Sequence, residues 1–257
     1  MIIRKSPQEI EAIGAAGGIL ARCLSLLRAK ARPGVTTAEL DEAAERYIRS
    51  QDAEPAFKGY RGFPGSVCTS PNSMIVHGIP GDDVLRRGDI LSLDVGVVHG
   101  GWVADAAVTL PLGPVTPVAN RLLGTTRAAL FDAVEHCRPG NRLGDVSNAV
   151  QSRVESDGFS VVRALVGHGI GRDMHEDPQI PNYGEAGTGV ELAEGMVLAI
   201  EPMVNAGKHG IRMGDDTWAV YSQDGSLAAH FEHTVAVTAE GPRILTPWHV
   251  EEAEKAA

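Results

Sequence analysis

The tetrapeptide Ala-Arg-Pro-Gly at 31–34 returns as Cys-Arg-Pro-Gly at 137–140, 106 residues later. Its downstream flank returns with it. Glu39, Leu40, Ala44 and Ile48 match Asp145, Val146, Val150 and Val154 at the same shift. Pro-Gly stops a helix, because proline brings no amide hydrogen and glycine tolerates the left-handed turn that follows a helix end. Each copy therefore predicts a helix before the break and an amphipathic helix after it. Ser6-Pro7-Gln8-Glu9 has the residues to start and cap the first helix, with Ile10, Ile13, Leu20 and Leu27 at helical spacing. Thr36-Thr37-Ala38-Glu39 caps the second, whose apolar stripe is Leu40, Ala43, Ala44 and Ile48. Further on, Leu91-Ser92-Leu93-Asp94 and Leu198-Ala199-Ile200-Glu201 match at a shift of 107, each a strand-like run ending in a carboxylate. A chain built this way is expected to form two similar helix-helix-sheet halves, about 1–112 and 113–245, around one core. All 257 residues then make a single domain with a polar tail at 247–257. Solenoid repeats are absent.

Charge and cysteines narrow the setting. With 23 Lys+Arg against 33 Asp+Glu, the net charge of −10 disfavours a dedicated nucleic-acid binder, which depends on cations. Arg28, Lys30 and Arg32 are expected to be only a solvated helix end. Cys23, Cys68 and Cys137 are odd in number, widely spaced and without a CxxC pair, which argues against disulfides and for a reducing compartment. No run of 18 apolar residues and no signal-peptide pattern occur, so a cytoplasmic protein without a membrane span is expected.

Chemistry concentrates in four segments. Residues 90–98 alternate as a strand, His99-Gly100 can turn, and 102–110 can run back. A two-residue turn there sets Asp94 directly opposite Asp105, about 5 Å apart at Cβ. Carboxylates that close repel unless a proton or cation lies between them; the pair alone would equally suit a solvated face. Gly167-His168-Gly169-Ile170-Gly171 places a histidine where backbone can approach a ligand. Glu201 ends an apolar strand, and Glu232 sits within a β-like run from Ala229 to Val235. Four carboxylates and one imidazole suit two divalent cations that share bridging oxygens, and a water between such cations becomes hydroxide near neutral pH and can attack a peptide carbonyl. Oxygen-rich ligation favours hard ions over a thiolate-bound structural zinc.

The ordered set His77-Gly78-Ile79-Pro80, Asp94 with Asp105, Gly167–Gly171 followed by His175-Glu176-Asp177-Pro178, Glu201-Pro202-Met203-Val204-Asn205-Ala206-Gly207 and Glu232-His233-Thr234 resembles type I methionine aminopeptidase, from about residue 3 to 246. The resemblance implies an α+β pita-bread fold, two pseudo-symmetric halves around a curved antiparallel sheet. It implies removal of the initiator methionine from nascent chains when the second residue is small, by a metal-bridging hydroxide. By resemblance, Asp94 chelates one metal, Asp105 and Glu232 bridge both, and His168 and Glu201 complete the other site. Glu201 is also the family's proton acceptor and donor. His175 polarises the scissile carbonyl, and His77 contacts the substrate amide. Tyr60, Phe63, Cys68, Met174 and Trp218 fall at positions lining the methionine pocket, with Phe57 at its edge. Aromatic and thiol groups suit a thioether. Three departures stand out. Phe57 replaces a cysteine common in bacterial relatives, Met174 an aromatic, and His230 the usual glutamine.

The implied cofactor is a pair of divalent ions, with manganese, iron, cobalt and zinc all compatible. The implied partner is the N-terminal methionine of a nascent chain, with transient ribosome contact and a monomeric enzyme. The chain begins close to the catalytic region, without the N-terminal extensions of some relatives. Two rivals share the fold: an X-Pro-cleaving aminopeptidase P or prolidase, and a non-catalytic binding module. Glu232 follows Glu201 by 31 positions, too few for the helical insertion of type II enzymes.

Overall fold

The computed structural model describes residues 1–248, so most of the expected tail, 249–257, lies outside the described residues. Four helices form: α1 (Pro7–Lys30), α2 (Thr37–Ser50), α3 (Pro117–Glu135) and α4 (Leu143–Ser156). Both expected capping boxes are present. Glu9 accepts from the Ser6 amide at 2.8 Å, and Glu39 accepts from the Thr36 amide at 2.7 Å. Asp145, the counterpart of Glu39, accepts from the Arg142 amide at 2.7 Å to start α4 in the same way. Gly34 and Gly140, the two Pro-Gly glycines, adopt φ of 95° and 88°, a region that L-side chains disfavour. One local mechanism thus ends a helix and turns the chain in both copies.

By length and hydropathy α1 could cross a bilayer, contrary to the expectation drawn from unbroken apolar runs. Its apolar face is instead spent inside the protein: Ile13, Leu20, Leu24 and Leu27 are fully buried, and α1 packs across the two long strands of the first half. That accounts for its apolar composition.

Those strands, Ile90–His99 and Trp102–Pro111, form a ten-residue hairpin, and all pairings in the four sheets of the molecule are antiparallel among the described residues. The turn is Gly100-Gly101, with φ of 58° and 76°, and not His99-Gly100. Two consecutive positive-φ residues match the twist of the flanking strands, and a glycine pair meets that demand best. The register moves accordingly: Asp94 faces Ala107, and Asp105 faces Gly96. Because the slip is two residues, both aspartates keep the same face and become diagonal neighbours.

The second half supplies a five-stranded sheet in the order 241–244, 233–238, 197–200, 166–169, 176–181. The halves meet along a symmetrical seam. The Glu232 amide donates to Ala107 O at 2.9 Å. To one side, Thr234 Oγ1 accepts from the Asp105 amide and donates to its carbonyl (3.0 and 2.7 Å). To the other, Thr109 Oγ1 does the same for His230 (2.9 and 2.7 Å). Each half lends one threonine to the other, and core residues from both halves pack into one cluster.

The start of the expected tail needs correction. Trp248 is fully buried, stacks on His233 at 4.5 Å and donates Nε1–H to the Glu232 carbonyl at 3.0 Å. An indole among polar neighbours gains far more from burial than those neighbours lose by following it.

Candidate metal centre

Asp94 and Asp105 project from the long hairpin, His168 from the 166–169 strand, Glu201 from the end of 197–200, and Glu232 from the seam. All five line one cavity of about 280 Å³. One donor atom each of Asp105, His168 and Glu232 lies within 4.8 Å of the others. His168 is oriented by its Nδ1, 2.9 Å from Gly169 O, which leaves Nε2 facing Glu201 Oε1 at 3.6 Å. A ring nitrogen anchored on a carbonyl with its partner free is how metal-binding imidazoles are held.

The glycines around His168 serve packing. A Cβ at Gly167 would stand 2.4 Å from Ala199 O, and one at Gly169 would stand 2.1 Å from Asp177 O. They let neighbouring strands close on His168, and the ligand approach expected from the sequence is not what requires them.

The electrostatics of the cluster are costly without a cation. Burial, with the adjacent carboxylates adding repulsion, drives Asp105, Glu201 and Glu232 well above the ordinary carboxylate range, and burial takes Asp94 up to about 7. Asp94 Oδ1, Asp105 Oδ1 and Glu232 Oε1 are buried with no hydrogen-bond partner. Buried acceptors are rarely left so. Oxygen atoms that repel each other, are shut from water and lack donors fit divalent cations, and His168 adds a nitrogen that manganese, iron, cobalt and zinc all accept.

The remaining expected residues surround this cluster unevenly. His77, His175, Phe57, Tyr60, Phe63, Cys68 and Trp218 line the cavity. His175 is gripped by Tyr60, whose Oη lies 2.8 Å from Nδ1 and whose ring stacks on it at 5.4 Å, and its ring lies 4.3 Å from that of His168. Burial, followed by neighbouring His168 and Arg61, lowers the His175 pKa to about 4, so the ring is neutral near pH 7. Trp218 is placed by Asp216, which accepts from the Trp218 and Ala219 amides at 2.8 Å each, and meets Phe63 edge-on at 5.2 Å. His77 sits at φ 60°, a left-handed geometry stored at the cavity wall. The next residue, Gly78, has no room for a Cβ, which would fall 2.0 Å from Thr69 O.

Met174 is the exception. It is buried in the main core and does not line the cavity; its Cε and Phe57 Cε1 would lie 2.9 and 2.7 Å from a Cβ at Gly96. Both side chains thus crowd the space beside Gly96, but only Phe57 reaches the cavity. Val76, Leu165, Val166 and Met203 line the cavity without having been expected. Met203 and Val166 had a signal, since each lies two residues from an expected ligand, Glu201 and His168. Burial also keeps the Cys68 thiol protonated, with Asp94 opposite it adding to the effect.

Residues 11–239 match metallopeptidase family M24. The chain is 50% identical to the methionine aminopeptidase of Clostridium acetobutylicum over 96% of this chain and 99% of that protein. It is 49% identical to methionine aminopeptidase 1 of Bacillus subtilis, with the same coverage. The crystal structure of methionine aminopeptidase from Rickettsia prowazekii superimposes with a TM-score of 0.94 at 42% identity, over 96% of this chain and all of that one. Prolidase from Pyrococcus furiosus superimposes at 0.77 with 23% identity, over 95% of this chain and 65% of that one, a likeness of fold.

Proposed function

The chain belongs to metallopeptidase family M24, and from that premise we propose that it is a divalent-metal-dependent aminopeptidase of pita-bread fold that removes the N-terminal methionine of peptides when the second residue is small. The observation carrying this reading is the convergence of five donors, four of them buried and three with unpartnered oxygens, on a cavity walled by aromatic side chains.

Asp94, Asp105, His168, Glu201 and Glu232 would hold two ions, whose charge four carboxylates roughly balance. Bound there, divalent cations polarise a carbonyl and lower the pKa of water. The chain supplies the rest. Phe57, Tyr60, Phe63, Cys68 and Trp218 offer an apolar, polarisable wall to a methionine thioether. With the Tyr60 hydroxyl donating across its 2.8 Å contact to His175 Nδ1, the ring proton would sit on Nε2, where it can donate to the scissile carbonyl as negative charge develops. A neutral ring does this across the physiological range without changing charge. Glu201, with its raised proton affinity, is suited to accept a proton from the attacking water and return it to the leaving amine. His77, also lining the cavity, would bind the amide of the second residue.

In this reading all 257 residues form one catalytic domain with halves about 1–112 and 113–245. The enzyme acts as a cytoplasmic monomer on nascent chains and touches the ribosome only through local patches. The test is intact-mass analysis of Met-Ala-led and Gly-Pro peptides with the purified protein, with and without manganese. Metal-dependent loss of one methionine from the first peptide alone is expected. Cleavage confined to the Gly-Pro peptide, or none with metal bound, overturns the proposal.

A further inference from the structure

His230 is unassigned among the residues around the metal centre, and the metal centre makes no use of it in the scheme above. Its side chain is 2% exposed, and neither ring nitrogen has a hydrogen-bond partner among the described residues. The Thr109 hydroxyl clamps its backbone on both sides, so the ring's place is fixed by the seam. It stands opposite Met203, on the cavity side of the 228–230 strand. Nε2 lies 3.6 Å from Glu232 Oε2 and 3.9 Å from Glu201 Oε2.

These distances are too long for hydrogen bonds and too short to be incidental in a buried, unpartnered cluster. Two kinds of contact could close them. A direct bond from Nε2 to a cation would leave an N–H on Nδ1 with nothing to receive it, unlike His168, whose Nδ1 is anchored on Gly169 O. The other tautomer leaves only an unfilled acceptor at Nδ1, the smaller loss, and points Nε2–H between two carboxylates. The other oxygen of each glutamate is left to the ligand cluster: Glu201 Oε1 lies 3.6 Å from His168 Nε2, and Glu232 Oε1 is buried without a hydrogen-bond partner.

We propose that His230 is a positioning residue of the metal centre: its Nε2–H donates to the Oε2 atoms of Glu201 and Glu232 and thereby turns their Oε1 atoms toward the cation. The inference rests on the metal-centre reading above and adds to it a donor that organises two of the five ligands from behind.

The probe is Co(II) alone, titrated anaerobically into the metal-free protein and followed by calorimetry and visible absorption. His230→Gln keeps an N–H donor, and His230→Leu keeps apolar bulk without one; His230→Met replaces the leucine variant if that one fails to fold. Loss of the donor is expected to weaken Co(II) binding about 10- to 100-fold, whereas glutamine restores it to within about threefold of the parent. A residue that only fills space predicts leucine as the better replacement. Parent-like Co(II) affinity in the leucine variant, or glutamine no better than leucine, overturns the proposal. So does a glutamine variant whose Co(II) absorption shifts as far as that of His168→Gln, which would make His230 a ligand. If the parent protein binds no Co(II), the metal-centre reading fails first; if the parent binds and the variants do not differ, only the role of His230 fails.

Discussion

Asp105 is held three ways: its backbone by Thr234, its place by the glycine opposite it, and its charge by whatever answers three neighbouring acids. In the proposed scheme Asp105 and Glu232 bridge both ions, and replacing either removes an oxygen that the other acids, already assigned to ligand positions, do not supply. Asp105→Ala or Glu232→Ala is therefore expected to abolish turnover even at saturating manganese, read as methionine released from a Met-Ala-led peptide. His175 is proposed to work differently, contacting charge that exists only during reaction. His175→Ala is expected to lower kcat by about 10²- to 10³-fold with KM little changed, and a change confined to KM would reduce it to a substrate-positioning group. At this scale the sequence was informative where function dictates the residue. An acid ending an apolar strand or a histidine between glycines is a weak signal alone; it was their conjunction that pointed to one cavity. Met174 and Cys68 looked alike as pocket residues, and only packing separates them: Cys68 lines the cavity, and Met174 is buried in the core beside Gly96.

Among the elements, the seam deserves the sharpest test. Thr234 satisfies both backbone groups of Asp105, buried between the halves. Thr234→Val keeps the shape and removes both bonds, so it is expected to cost about 1–3 kcal/mol of stability by denaturant unfolding. It should also weaken metal binding, because Asp105 loses its frame. A variant as stable as the parent would mean that the strands alone hold the seam. The helices were legible because their signals are local: a hydroxyl, an acid three residues on and a Pro-Gly stop are each read within one turn. The hairpin was legible in face but not in register. His99-Gly100 and Gly100-Gly101 both offer two-residue turns, and the decision belongs to the demand for positive φ at both positions, which the glycine pair satisfies. The threonine seam was invisible, because its partners are more than 120 residues apart and carry no local pattern.

Across the whole molecule, the metal-free centre is a store of repulsion. Asp94, Asp105, Glu201 and Glu232 all bind protons more tightly in the folded protein than in the open chain. Groups of this kind lend stability at low pH and lose it as pH rises from the ordinary carboxylate range through their raised values, about 7 for Asp94. Metal-free protein is thus expected to lose melting temperature as pH rises relative to its Asp105→Asn variant, which lacks one of the charges. The gap between the two should be small near pH 4 and grow as pH rises, by differential scanning calorimetry. Adding manganese at pH 7 should raise the parent's melting temperature more than the variant's, since ligand binding to the folded state alone stabilises it. A gap that does not change with pH would place the cost of these acids elsewhere.

Trp248 makes one aromatic side chain answer for a distant acid. Its indole Nε1–H holds the Glu232 carbonyl, and its ring stacks on His233. A ring without that N–H, as in Trp248→Phe, keeps most of the stacking and lets go of the carbonyl, so the segment bearing Glu232 is left with one fewer anchor.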